Sequence, residues 1–311
     1  MEIPHRPSGA RKKSLKQRQE GLGHAPSRHG YFKSFDGTKL FYSVEGEGKP
    51  LVFCYGLVCS SLHWTYQIEH FKRNYQTVWM DYRGHQNSEI PEDLGSLTLE
   101  TLARDLECLF QELKLEDAIL LGHSMGVNVV LEYYRQYRKR VKGLILSNGT
   151  PTRPLETLLG TNTLEPGFAA LEFLRDRSPK LLNLVWKFQK ANPLVQKAIG
   201  LLGFNPYLTP KEDVRMYVDQ IAELDPRVFL HLIRNYDTYD GSSWLHTIDA
   251  PSLVIAGEKD LVIPIRQQQL LHQLIPNSQF EVIKHGSHCP QMDLPDLVNL
   301  KIENFLNSIR Y

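Results

Sequence analysis

One serine, Ser124, lies between two glycines, Gly122 and Gly126, at a place where the chain must turn sharply. Residues 118–121 before it form a short apolar run that is typical of a buried strand, and residues 127–131 after it indicate a helix. Glycine is expected at both flanking positions because a side chain there would collide with the neighbouring chain. The strained turn lifts the Ser124 hydroxyl clear of the sheet and points the N-terminal amides of the following helix towards it. The motif therefore predicts a strand–turn–helix unit with Ser124 as its candidate reactive group.

The order of the remaining elements predicts an α/β fold built on a mostly parallel sheet. Residues 36–38 are a turn signal between residues 31–35 and 39–44, which we expect to form a hairpin. Later strands alternate with helical patterns, and such alternation implies right-handed crossovers with helices on both faces of the sheet. These predicted strands lie at residues 51–54, 77–80, 118–122, 142–147, 252–257 and 279–283.

A long helical insertion is expected between two of these strands. About 100 residues without strand-like alternation separate Asn148 from Ser252, far more than a usual connection. Residues 180–190 are apolar on more than one helical face, so we expect this stretch to be buried. The predicted helical stretches of the insertion are residues 168–175, 180–190, 194–202, 211–221 and 227–234. We therefore predict a helical cap at residues 151–247 within a core formed by residues 30–150 and 248–311.

A serine hydroxyl becomes a good nucleophile only when a base removes its proton and an acid orients that base. Candidates for both follow the last two predicted strands, at Glu258, Asp260, His285 and His288. Serine, acid and histidine in this chain order resemble the α/β-hydrolase family, an esterase- and lipase-like group of serine hydrolases with a helical lid. By that resemblance Ser124 is the nucleophile, Asp260 the acid and His288 the base.

Each partner of the serine has a competitor nearby in the sequence. Glu258 also lies in the acid loop, although the family pattern puts the carboxylate at the fourth position, which is Asp260. His285 belongs to the strand end, whereas His288 has the family's spacing from the proline that begins the last helix. Ser287 precedes His288 where the family usually has glycine. Asp260 and His288 are preferred, and both alternatives stay open at this point.

The loop that begins with Tyr55, Gly56 and Leu57 resembles the family's oxyanion loop. Tyr55 stands where the family usually has histidine. The resemblance implies that two backbone amides, those of Leu57 and Met125, hold the oxygen that becomes negative in the tetrahedral intermediate. The substitution at Tyr55 leaves those amides in place but changes the internal hydrogen bonding of the loop.

Residues 81–88 form another stretch that resembles the family. Gln86 stands there at a position that is usually glycine. We interpret the stretch as a structural loop near the site, with His85 as a packing residue rather than a catalyst.

Charge and cysteine content argue against several other classes of protein. A net charge of +1 gives no general reason to expect nucleic-acid binding, and no apolar run approaches the roughly 18 residues that span a bilayer. The four cysteines have no paired short spacing, so we expect free thiols and a cytoplasmic location. His285, His288 and Cys289 suggest metal ligands, but no second cluster has zinc-like spacing. We therefore expect no metal and no cofactor.

Positive charge is concentrated at the beginning of the chain. Residues 1–30 contain seven lysines and arginines against two glutamates. We expect residues 1–29 to form a disordered basic tail, which is either plainly solvated or in weak contact with an anionic surface.

These features predict a serine hydrolase that cleaves small carboxylic esters with an apolar acyl group through an acyl-enzyme. The same triad also serves carbon–carbon bond, thioester and lactone hydrolysis and perhydrolysis, so these reactions remain alternatives. Dehalogenase and epoxide hydrolase chemistry is disfavoured because those branches of the family carry aspartate where this chain has Ser124. A non-catalytic scaffold of the same fold would not need serine, acid and histidine together.

Overall fold

The computed structural model of this protein describes residues 27–155 and 165–311. The centre of this part of the chain is an eight-stranded sheet with the strand order β1-β2-β4-β3-β5-β6-β7-β8. The strands are β1 (Ser27–Lys33), β2 (Lys39–Glu45), β3 (Pro50–Cys54), β4 (Gln76–Met80), β5 (Ala118–His123), β6 (Val141–Ser147), β7 (Ser252–Gly257) and β8 (Ser278–Ile283).

The sheet is antiparallel at one edge and parallel elsewhere. β1 and β2 form the expected hairpin, whose turn contains Gly37 at a φ of +89°, and β2 pairs antiparallel with β4. All further neighbours pair in parallel. Every residue of β5 and β7 is buried. Because successive side chains of a strand point to opposite faces, helices must cover both faces at the centre of the sheet. The predicted α/β class is therefore confirmed.

Helices connect most of the strands. α1 packs against α11, and α2 packs against α3. The helices of the described residues are α1 (Thr65–Phe71), α2 (Leu99–Leu113), α3 (Met125–Tyr137), α4 (Glu165–Arg177), α5 (Pro179–Ala191), α6 (Pro193–Gly203), α7 (Lys211–Glu223), α8 (Pro226–Tyr236), α9 (Ile265–Leu274), α10 (Pro290–Asp293) and α11 (Pro295–Ser308). Short 3-10 helices lie at Ser61–Trp64, Leu94–Ser96, Arg138–Arg140 and Leu245–Thr247.

The parallel part of the sheet positions the candidate site. β3, β5, β6, β7 and β8 are consecutive neighbours that run in the same direction. Their carboxyl ends therefore lie at one edge, and the loops that follow them meet there. This edge brings together the serine turn after β5, the acid loop after β7 and the histidine loop after β8.

Helices α4 to α8 form the insertion between β6 and β7, and each contains one of the five helical stretches expected from the sequence. The expectation that residues 180–190 are buried is wrong. Among the large apolar residues on α5, Leu182 and Trp186 are buried, whereas Leu184 and Phe188 are exposed by 67% and 63%. One side of α5 packs against α4 and α7, and the apolar residues on another side have no such neighbour among residues 27–155 and 165–311.

The predicted basic tail, residues 1–29, lies outside the described residues except for its last three. Residues 27–29 belong to β1, so the first strand begins before the predicted boundary of the tail. Residues 156–164 of the predicted cap also lie outside the described part. Among the described helices, none has both the length and the apolar character needed to cross a membrane.

Candidate active site

Ser124 sits in a strained turn between β5 and α3. Its φ of 54° and ψ of −126° lie in a region that residues other than glycine rarely adopt. A Cβ atom built on Gly122 would lie 2.5 Å from the Gly126 carbonyl oxygen, and one on Gly126 would lie 2.4 Å from the Cys54 carbonyl oxygen. Both glycines are therefore required by close backbone approach, as the sequence predicted.

The backbone fixes the direction of the serine side chain. The Ser124 amide donates to the Ser147 carbonyl at 3.0 Å, which ties the turn to the end of β6. Helix α3 begins at Met125, so the Met125 amide is one of the first-turn donors that have no acceptor within the helix. A hydroxyl and a free backbone donor thus lie at adjacent residues.

His288 connects the serine to a buried carboxylate. The distance from Ser124 Oγ to His288 Nε2 is 3.1 Å, and His288 Nδ1 lies 3.0 Å from Asp260 Oδ2. The carboxylate only accepts, so Nδ1 carries the proton and Nε2 is left to accept from the hydroxyl. The other Asp260 oxygen accepts from the amides of Val262 and Ile263 at 2.8 and 2.9 Å. Both carboxylate oxygens of Asp260 are therefore hydrogen-bonded, which fixes the orientation of the acid.

Glu258 and His285, the competitors, lie together at the surface. Glu258 Oε2 accepts from the His285 amide at 3.1 Å and is 3.8 Å from His285 Nδ1. The His285 side chain is 63% exposed, whereas the Asp260 side chain is fully buried. The geometry therefore groups Asp260 and His288 with Ser124 and leaves the other pair outside.

The sequence did not reveal the role of Asn148, whose side chain is hydrogen-bonded to the carboxylate of Asp260. Its Nδ2 donates to Asp260 Oδ2 at 2.8 Å and to the Ser287 carbonyl at 3.2 Å, and its Oδ1 accepts from Ser147 Oγ. Asn148 adopts a φ of +53° directly after β6. The available signal was a polar residue directly after a strand beside β5 and β7, where asparagine tolerates the left-handed conformation.

The loop after β3 lies against the serine. A Cβ atom on Gly56 would be 3.0 Å from Ser124 Cβ and 3.1 Å from Cys59 Sγ, so glycine allows the loop to approach. The Cys59 amide donates to the Gly56 carbonyl at 3.2 Å and closes a tight turn. Leu57, whose amide was predicted as an oxyanion donor, lies inside that turn.

Two further contacts hold this loop. His85 Nε2 donates to the Leu57 carbonyl at 2.7 Å, and burial lowers the pKa of His85, which keeps its imidazole neutral. The Tyr55 hydroxyl accepts from the Tyr82 amide at 2.9 Å, while the Tyr82 hydroxyl donates to the Tyr55 carbonyl. Tyr55, in place of the usual histidine, thus fastens the loop to residues 81–88. His85 is buried as expected, and its hydrogen bond gives it a role beyond packing.

Residues 81–88 are themselves anchored by a buried ion pair. The Arg83 guanidinium is fully buried and donates to both carboxylate oxygens of Asp105 on α2. A further Arg83 nitrogen donates to Asp36 at 2.8 Å, which lowers the pKa of that carboxyl to about 2. Gln86 has a φ of +44°, which explains why glycine is usual at this position. The stretch is a structural loop that carries His85.

Helix α7 of the insertion covers the outer side of the loop after β3. The Tyr217 ring stacks on His63 at a centroid distance of 4.7 Å, and its hydroxyl is 3.9 Å from Cys59 Sγ. Ser60 Oγ donates to Gln220 Oε1. Val58 packs with an apolar cluster that includes Val228 on α8. The insertion therefore places aromatic and apolar side chains beside the loop after β3, which itself lies against Ser124.

The buried histidines and thiols around the site are neutral. Burial and the nearby His288 lower the pKa of His123 to about 3, and burial also holds the pKa of His63 well below its usual value. Burial raises the pKa of the Cys54 and Cys59 thiols to about 12. These groups carry no charge at neutral pH, so the charge nearest to His288 is that of its hydrogen-bonded carboxylate.

The described residues contain one group with the spacing of metal ligands. His63, His123 and Cys289 place one donor atom each within 4.8 Å of one another, and only Cys289 belongs to the set considered from the sequence. His123 Nε2 donates to the His288 carbonyl at 2.8 Å. Burial raises the pKa of the Cys289 thiol well above its usual value, so the thiol of the metal-free protein is protonated. His63 also stacks on Tyr217, so these side chains are part of the packing behind the histidine loop.

Comparison with known proteins identifies the family to which this fold belongs. The family model for the alpha/beta hydrolase fold matches residues 49–295, and the chain therefore belongs to the α/β-hydrolase fold family. Bifunctional epoxide hydrolase 2 of Sus scrofa is 25% identical over 300 residues, a match that covers 87% of this chain and 54% of that protein. A putative carbamate hydrolase of Azorhizobium caulinodans is 24% identical over 271 residues, which cover 87% of this chain and 96% of that protein.

A thermophilic esterase from Thermogutta terrifontis has a similar structure, with a TM-score of 0.76 and 22% identity over 91% of this chain and 100% of that one. At this level of identity the likeness concerns the fold. The names of these proteins give different reactions, so the similarity defines the family and leaves the substrate to be argued from the site.

Proposed function

We propose that this protein is a serine hydrolase that cleaves carboxylic esters with an apolar acyl group through an acyl-enzyme intermediate. The observation that carries the proposal is the continuous chain of hydrogen bonds from Ser124 Oγ through His288 to Asp260, at a serine raised on a strained turn. Nucleophile, base and orienting acid in this geometry are the minimum for acyl transfer.

The reaction begins when His288 Nε2 takes the hydroxyl proton and Ser124 Oγ attacks the ester carbonyl. The resulting oxyanion lies near the Met125 amide at the start of α3 and near the Leu57 amide. His288 then protonates the leaving alcohol, and the acyl group stays on Ser124. A water molecule activated by the same histidine releases the carboxylic acid. Asp260 orients the imidazole and stabilises its protonated form throughout.

The helical insertion supports the choice of an apolar acyl group. Tyr217 and Val228 of the insertion pack against Cys59 and Val58, which belong to the loop that carries the proposed oxyanion donor. We propose that the buried side of α4 to α8 acts as a cap over the acyl group, with no cofactor. A chain whose four cysteines are free thiols suits a reducing compartment, and we propose a cytoplasmic location.

Epoxide opening, the reaction in the name of the pig relative, is not proposed. Branches of the family with that chemistry carry aspartate at the position of Ser124, and a serine there would form an ester by acyl transfer instead. Lactones and thioesters present the same kind of carbonyl to Ser124, and vinylogous diketones present a carbonyl next to the carbon–carbon bond that breaks. All three therefore belong in the test.

Steady-state turnover of p-nitrophenyl esters from acetate to decanoate tests the proposal, with lactones, thioesters and vinylogous diketones as further substrates. Catalytic efficiency is expected to rise from acetate to medium chains, because each buried methylene contributes about 0.8 kcal/mol. Ser124→Ala is expected to lower kcat by about 10⁴-fold or more. Ser61→Ala, a nearby serine outside the hydrogen-bonded chain, is the matched control and is expected to be unchanged.

Three results would contradict the proposal. They are full activity in Ser124→Ala, a preference for acetate over all longer esters, and turnover of another substrate class with no ester hydrolysis. Thermal unfolding of each variant must match the wild type for the comparison to be fair.

A further inference from the structure

An exposed apolar surface lies on the helical hairpin formed by α5 and α6. We define the cap apolar face as six side chains: Leu181, Leu184, Val185, Phe188, Leu194 and Leu201. The four on α5 are spaced i, i+3, i+4 and i+7, so they share one helical face. Leu194 and Leu201 are two turns apart on the neighbouring α6, and Leu194 is 76% exposed.

This face differs from the rest of the surface. Other large exposed apolar residues, such as Ile90 and Leu300, belong to separate elements, and single exposed apolar residues are normal on a soluble domain. Six exposed apolar residues on two adjacent helices instead indicate an interaction site. Tyr207, in the loop that follows α6, is 84% exposed and adds an aromatic side chain of the kind enriched at membrane–water interfaces.

The charges of this segment indicate what the face binds. Residues 177–211 contain six lysines and arginines and no aspartate or glutamate. Lys180, Lys187 and Lys197 are exposed and lie on α5 and α6 beside the apolar residues. An apolar face flanked by lysines matches an anionic lipid surface, where the apolar side chains enter the acyl boundary and the ammonium groups approach headgroup phosphates. A second copy of the chain fits less well, because a self-complementary contact would bring two lysine sets together.

The hairpin is connected directly to the histidine loop. The Gly203 carbonyl at the end of α6 accepts from the Cys289 amide at 3.2 Å and from Ser287 Oγ at 2.9 Å, the two residues that flank His288. Phe204, the next residue, packs on His63. The helical hairpin that carries the cap apolar face is therefore hydrogen-bonded to the loop that contains His288.

We propose that the cap apolar face docks this protein on an anionic phospholipid bilayer. The docking surface is independent of the serine chemistry, and it goes beyond the proposed ester hydrolysis.

Vesicle flotation of the full chain tests this proposal, with phosphatidylcholine vesicles that contain or lack phosphatidylserine. The wild type is expected to bind vesicles with phosphatidylserine more tightly than vesicles without it, and added salt is expected to weaken that binding. The double variant Leu184→Gln, Phe188→Gln is expected to lose at least about tenfold in partitioning to both kinds of vesicle. Ile90→Gln, Leu300→Gln is the matched control and is expected to bind as the wild type does.

A second pair of variants tests the charge. Lys187→Gln, Lys197→Gln is expected to lose about fivefold for each lysine on anionic vesicles only, because each lysine near such a surface contributes about 1 kcal/mol. Lys33→Gln, Lys142→Gln, which removes two exposed lysines from the sheet, is the control. Hydrolysis of a dissolved short ester without vesicles is expected to be unchanged in all four double variants, so failure of docking and failure of the ester proposal remain distinguishable.

Several outcomes would overturn the proposal. One is a wild type that does not bind, or that binds neutral and anionic vesicles equally. Another is the Leu184→Gln, Phe188→Gln variant binding like the wild type, which would place any contact in the basic N-terminal region. A third is a wild-type dimer by light scattering that the same variant dissociates, which would make the face an interface between copies.

Discussion

Replacing His85 tests how the oxyanion loop is held. His85 is buried, and its Nε2 donates to the Leu57 carbonyl at 2.7 Å, within the peptide chain that carries the proposed oxyanion donor. In His85→Ala that carbonyl loses its donor and the loop gains space to move. His85 touches no reacting atom in this account, so we treat it as a positioning residue.

The magnitude follows from the lost hydrogen bond. Leaving the part-buried Leu57 carbonyl without a donor costs about 1–3 kcal/mol, and if this cost falls on the geometry of the oxyanion donor, kcat/KM decreases about 5- to 150-fold. The donor acts mainly on the transition state, so the decrease is expected in kcat, with KM changed less than about twofold.

Steady-state kinetics with p-nitrophenyl butyrate, well below the melting temperature, measures the effect. His85→Gln retains a side-chain donor and is expected to recover part of kcat. His272→Ala is the matched control, because His272 is half-buried and bonded to Ser278 at 2.8 Å on a different part of the sheet. The reasoning is refuted if His85→Ala lowers only the melting temperature, or if it and His272→Ala change kcat equally.

Three further predictions concern stability, measured by urea unfolding. Burial lowers the pKa of His123 to about 3, so only the unfolded state takes up this proton between pH 6.5 and 3, and stability falls as the pH falls. Between pH 7 and pH 4.5 the free energy of unfolding of His123→Gln is expected to decrease by about 3 kcal/mol less than that of the wild type. An unchanged pH dependence in this variant would contradict the argument. Arg83→Leu leaves Asp105 buried without its partner and is expected to cost about 3–5 kcal/mol. Arg138→Leu, which breaks an exposed pair, is the control and is expected to change the free energy of unfolding much less, so equal losses would refute the argument. Gln86→Gly is expected to stabilise by up to about 1 kcal/mol, because residue 86 has a positive φ, and a loss of stability would be the contrary result.

The sheet could be predicted from the sequence because its determinants are local. Short apolar runs bounded by turn residues marked β3 to β8, and the turn at Gly37 marked the hairpin. The glycines around Ser124 were informative for the same reason, since their requirement comes from the turn itself. The resemblance to the family then ordered the serine, acid and histidine along the chain.

Other features depend on contacts that no local pattern contains. Asn148 is a single polar residue after a strand, and only the folded sheet places it 2.8 Å from Asp260. Tyr55 departs from the family motif, and only the folded structure shows that its hydroxyl accepts a hydrogen bond from the Tyr82 amide. The apolar residues of α5 were expected to be buried because periodicity tells which residues are apolar but not which side of a helix meets the protein. Leu184 and Phe188 are apolar and yet lie on the exposed side of α5.

The most direct test of the central claim is covalent labelling of Ser124 by a fluorophosphonate, followed by intact-mass and peptide mass spectrometry. We expect a single adduct on Ser124 in the wild type, none in Ser124→Ala, and labelling slowed by orders of magnitude in His288→Ala. His285→Ala, the neighbouring histidine outside the hydrogen-bonded chain, is expected to label like the wild type. An adduct elsewhere, no adduct at all, or slow labelling in His285→Ala with normal labelling in His288→Ala would contradict the account.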